Sequence, residues 1–159
     1  MAGVVETLDL TQFAAWANGV ASRVQVMNWA PALKQCKVLL SAKTKENFAQ
    51  WKSPDGTRWL GLKRPRKRGR TREKPLRDRG ILMASVTSQG PGHLEKVGAN
   101  EMVYGTIIHY ASYHQYGTKT IPIRAFLGWN NAMAEECVRI LGEFLEKQLA
   151  GQGGLSSGG

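Results

Sequence analysis

Tyr104-Gly-Thr-Ile-Ile-His-Tyr-Ala-Ser-Tyr-His-Gln-Tyr-Gly-Thr118, followed by Ile121-Pro-Ile-Arg-Ala-Phe-Leu-Gly128, is the stretch around which the chain is organised. It holds all four tyrosines, and two of the three histidines, His109 and His114. The strand-like run Met102-Val103-Tyr104 meets Gly105, and an aromatic patch with a polar His-Gln centre then runs to Gly117. Tyrosine gives contact area and a hydrogen-bonding tip together, so this patch reads as a protein-contact surface. Its candidate members are Tyr110, Tyr113, His114 and Tyr116, with Arg124 and Phe126 from the second run. Core filling is the competing reading for Tyr110 and Phe126.

Working outward, the chain before this stretch predicts two helices. Leu10, Phe13, Trp16, Val20, Val24 and Met27 recur at spacings of three and four over residues 9–29, with Asp9 placed to cap the first turn. A second helix starts near Pro31 and carries Leu33, Cys36, Leu40, Phe48 and Trp51 on one stripe. Ser53-Pro-Asp-Gly56 is a turn that ends it. Leu76–Met83 reads as a short helical turn leading into a strand over Ala84–Gln89. Gly90-Pro-Gly92 is a turn, and Leu94–Val97 with Glu101–Ile107 forms a hairpin around Gly98-Ala-Asn100. Residues 109–116 are a short helix or irregular segment, and 121–127 are extended. Asn130 or Asn131 caps a final helix whose apolar face is Met133, Cys137, Ile140, Leu141, Phe144 and Leu145. This order predicts a single α+β domain over residues 1–150. Two N-terminal helices and a C-terminal helix would pack on a small antiparallel sheet, with a Gly/Ser-rich tail at 151–159.

The charge of +10 is concentrated in one place. Residues 58–79 hold eleven Lys/Arg against Glu73 and Asp78, a net +9, which leaves the rest near neutral. The arm includes Lys63, Arg64, Arg66, Lys67, Arg68, Arg70, Arg72 and Lys74, and between Lys63 and Lys74 only Pro65 is not polar or glycine. Such a loop, about 60–79, buries too little to offset its ordering entropy and is expected to be mobile. Three roles fit it: a solvated loop, contact with nucleic acid through phosphates, or contact with an acidic protein. It has no aromatics for stacking on single-stranded bases.

Catalytic signals are poor. His109 and His114 stand five apart, off the spacing that shares a helical face, and no carboxylate pair accompanies them. No phosphate-loop, dinucleotide or nucleophile-elbow pattern occurs, so neither enzymatic activity nor a cofactor or metal is expected. No run reaches the length of a membrane span and no secretory leader is readable. Cys36 and Cys137, far apart on helical faces, read as buried free thiols suited to a reducing cytoplasm.

Four pieces together resemble the virion morphogenesis, or tail completion, family of tailed bacteriophages. They are Ser53-Pro-Asp-Gly-Thr-Arg-Trp59 with Leu62-Lys63, Leu76-Arg-Asp-Arg-Gly-Ile-Leu82 with Ser85-Val86, Val103-Tyr-Gly-Thr106 with Tyr110-Ala-Ser-Tyr-His-Gln-Tyr-Gly117, and Ile121-Pro-Ile-Arg-Ala-Phe-Leu-Gly128. Arg79 replaces the threonine usual in the second piece, and the loop is more basic than the family's. The resemblance implies a non-enzymatic virion protein, assembled in the host cytoplasm, at the head-proximal end of the tail. It implies a homo-oligomeric ring, with six copies favoured, that helps join tail to head while DNA passes. Partners would be neck or connector proteins and tail terminator or tail tube proteins, with non-specific contact to genomic DNA and none to membrane. The alternatives are a stand-alone nucleic-acid-binding protein using the arm and a hydrolase using His109 or His114.

Overall fold

A computed structural model describes residues 11–64 and 74–152. The expected Asp9 cap, the arm residues Arg66, Lys67, Arg68, Arg70 and Arg72, and residues 153–159 of the tail lie outside the described residues. The elements are α1 (Thr11–Val26), α2 (Ala30–Gln50), α3 (Ile81–Thr87), β1 (His93–Val97), β2 (Met102–Thr106), α4 (Ala111–Tyr116) and α5 (Asn131–Gln152). This is the α+β arrangement expected from the sequence.

The central element is α2, with Pro31 in its first turn. Ala32, Cys36, Leu40, Thr44 and Phe48 recur every four residues and are all buried. The Thr44 hydroxyl is satisfied by donating to Leu40 O at 2.8 Å. One side of α2 meets α5, and α3 with both strands packs elsewhere along it. The helix ends at Trp51, whose φ of 55° is left-handed. The Pro-Asp-Gly-Thr turn then folds back, with Ser53 N donating to Thr57 O and Trp59 N to Trp51 O.

Residues 84–89 differ from expectation: Ile81–Thr87 is helical, not a turn feeding a strand. Leu82, Ala84 and Val86 alternate as a strand would, and Val86 and Thr87 are β-branched. The helical spacing of Leu82, Ser85 and Val86 is the one used, and all three are buried. The hydroxyls are absorbed within the helix, Ser85 by Leu82 O and Thr87 by Met83 O.

β1 and β2 form an antiparallel hairpin running from His93 opposite Thr106 to Val97 opposite Met102. It lies on α3 and α2, fastened by the Lys37–Glu95 ion pair at 3.0 Å and by the Tyr104 hydroxyl donating to Val86 O. The C-terminal helix packs mainly on α2. Asn130 Oδ1 accepts from Met133 N at 2.9 Å, which caps α5. The helix runs through Gly151 and Gln152, past the start of the Gly/Ser-rich tail. Phe48, Trp59, Leu76, Leu82, Val86, Ala111 and Phe126 make the core, so each of the four signature pieces contributes a side chain to it.

Candidate functional site

Residues 121–128 belong to no strand, yet their backbone polar groups must be paired where buried. Side chains do this. Gln115 Oε1 accepts from Phe126 N at 3.2 Å and Leu127 N at 3.3 Å, and its Nε2 donates to Leu127 O at 2.7 Å. Asn47 donates to Phe126 O at 3.2 Å, and the Trp59 indole donates to Ala125 O at 2.9 Å. Arg124 N donates to His114 O at 2.8 Å. Gly117 ends α4 with a φ of 76°, and a Cβ there would stand 2.7 Å from Ile123 Cγ1. Only glycine lets the two signature runs close on each other.

Two predicted surface residues are therefore interior. Phe126 is 2% exposed and stacks on Phe48, while Arg124 is 5% exposed. Its Nε donates to Leu60 O at 2.8 Å and one Nη to Gly61 O at 2.9 Å. Arg124 is a clamp at the root of the basic loop, set inside the protein rather than out on its surface. The opposite root is fixed as well: Leu76 is buried in the core with a left-handed φ of 59°. Lys63 and Arg64 are exposed and Lys74 is half-buried.

Tyr113 and Tyr116 stand out from α4, Tyr116 at 76% exposure, while Tyr110 is half-buried. The surface around Tyr116 is wider than the tyrosines. Ile107 at 71% and Trp129 are exposed with it along a groove of about 640 Å³ that Phe126 and Leu127 also line, and Ile123 is exposed along a second cleft shared with Leu127 and Trp129. Ile107, Ile123 and Trp129 were not singled out from sequence. Their signal is that each is a large apolar residue flanking a glycine or proline motif without a helical or alternating partner set.

Among the described residues, neither His109 nor His114 pairs with a carboxylate, whereas His93 meets Glu95 at 3.2 Å. His109 packs edge-on against Tyr110 and Tyr113, and His114 against Tyr110. The Nδ1 of His114 is buried without a hydrogen bond. Burial first, then the Arg124 charge, holds the His114 imidazole below its ordinary value, so it is neutral at pH 7. Among the described residues no group of three His, Cys, Asp or Glu is placed to hold a metal, and no helix is long and apolar enough to cross a membrane. Cys36 and Cys137 are buried and free, and burial together with the Cys36 thiol pushes Cys137 up to about 12.

A family model described as the phage virion morphogenesis family matches residues 8–146. No curated protein and no solved structure matches the chain.

Proposed function

This chain belongs to the phage virion morphogenesis family, and we propose that its place in the particle is the tail completion or neck position at the head-proximal end of the tail. The family gives the coarse role, a structural part in building the phage particle. In the finer reading, copies form a ring, six being the favoured number, between connector and tail terminator or tail tube proteins. The genome passes through it.

The observation that carries this reading is a set of large apolar side chains, Ile107, Tyr113, Tyr116, Ile123 and Trp129, which the described residues leave exposed. Scattered apolar residues are ordinary on a surface, but Ile107, Tyr116 and Trp129 line one groove, and aromatics gathered in this way have the composition of a protein interface. The basic arm supports the same position. A conduit for DNA has no need of base readout, and cations spread along a loop meet phosphate without sequence preference.

Phage lacking this protein should accumulate filled heads and separate tails, and electron microscopy of the purified protein should show rings. Normal virions without it would overturn the reading. Replacing Arg66, Lys67, Arg68 and Arg70 with Ser should slow head–tail joining and flatten the salt dependence of any DNA retention. Joining at the wild-type rate would leave the arm as a solvated loop.

A further inference from the structure

Buried charge is costly unless a partner of opposite sign compensates it. Arg124 is buried, and burial lowers its pKa; among the described residues no carboxylate pairs with it. Among the described residues, two of its five N–H groups go to Leu60 O and Gly61 O. Arg124 lines a cavity of about 440 Å³ whose walls include Leu62, Leu76, Ile81 and Leu82, and which His114 also lines. Arg79 and Asp78 stand at the same opening. The cavity thus offers a buried cation, a neutral imidazole and apolar sides. That combination suits a carboxylate carried on a methylene stem better than a strongly hydrated phosphate.

The chain itself presents such groups elsewhere. Glu46, Glu95, Glu101, Glu136 and Glu143 each pair with a cation. Among the described residues, the glutamates without such a partner are Glu135 and Glu146, both on α5. They stand eleven residues apart, three helical turns, on one exposed face that also carries Val138 at 69% exposure. No residue of α5 lines the cavity, so a glutamate of this face can reach it only from another molecule.

We propose that the cavity receives a glutamate from the outer face of α5 of a second copy, its carboxylate on Arg124 and its stem between the leucines. The contact joins two different patches, so it is heterologous and propagates round a ring instead of closing a dimer. It rests on the reading that copies of this chain associate with one another.

Sedimentation over a range of concentrations tests it with Glu135→Gln, Glu146→Gln, the double variant, and Glu101→Gln as a control on the hairpin. Both target side chains are exposed, so folding is undisturbed. Loss of one member of a buried charge pair weakens association on the order of thirtyfold or more. The expected result is that loss in one single variant and in the double, with Glu101→Gln unchanged. If the wild-type chain associates and the double variant associates equally well, this contact is wrong and the ring reading stands. If the wild-type chain stays monomeric throughout, both fall.

Discussion

Gln115→Ala removes the side chain that stands in for a β-ladder along residues 126–127. Three hydrogen bonds disappear at once, two accepted by Oε1 and one donated by Nε2. Each is worth about 1 kcal/mol net, and more where the abandoned backbone group stays out of water. The expected loss is therefore about 3 kcal/mol, with Phe126 N–H, Leu127 N–H and Leu127 O left to find other partners. In a domain of this size about 1 kcal/mol moves the melting point by roughly 2–4 °C, so the variant should melt about 6–12 °C lower. Urea unfolding followed by tryptophan fluorescence measures it directly, because Trp59 sits on the same segment through Ala125 O. Gln115→Glu keeps an acceptor but sets an oxygen against Leu127 O, and should recover only part of the loss. A cost for Gln115→Ala below about 0.5 kcal/mol, the level of an ordinary surface change, would refute the reasoning. Burial of Phe126 would then hold the segment without the amide.

Three further outcomes follow from the same structure. Tyr113→Ala with Tyr116→Ala should leave stability within about 0.5 kcal/mol, since both rings are exposed, yet abolish assembly; ring formation as in wild type would remove the patch from the interface. Gly117→Ala meets both a left-handed φ and Ile123 Cγ1 at 2.7 Å, and should lower stability by about 1–3 kcal/mol in a urea melt, with an unchanged midpoint as the contrary result. The Cys137 thiol ionises more readily unfolded than folded, from an ordinary value of 9.0 to about 12 in the native state. The stability this gives is fully present below pH 9 and is lost as pH rises through that window. Native protein at pH 8 should react with a thiol reagent only on the timescale of unfolding, and prompt labelling would contradict this.

Much of the architecture was legible because local signals agreed. Pro31 at the start of α2, the Pro-Asp-Gly turn after it, and the hairpin around Gly98 each combine a pattern with a breaker. α3 was misread because seven residues hold only two turns, and over that length Leu82, Ala84 and Val86 satisfy a strand as well as a helix. Tertiary burial of Ser85 decided it. The site was legible in composition but not in direction. Arg124 and Phe126 are residue types that dominate interfaces, and nothing nearby in sequence shows that one is clamped to carbonyls more than sixty residues away. Tyr113 and Tyr116, which have no such long-range partner, are the members of that set left outside.

The two fixed roots of the basic loop, Arg124 on Leu60 and Gly61 and the strained Leu76 in the core, give the domain a socket. Whatever is spliced between them inherits its anchorage from outside itself. Closure entropy grows by only about 0.6 kcal/mol for each doubling of length, so the domain can host spans of very different size and charge without refolding. Selection could retune how this protein meets its neighbours there, by exchanging a cassette, while the core stays as it is.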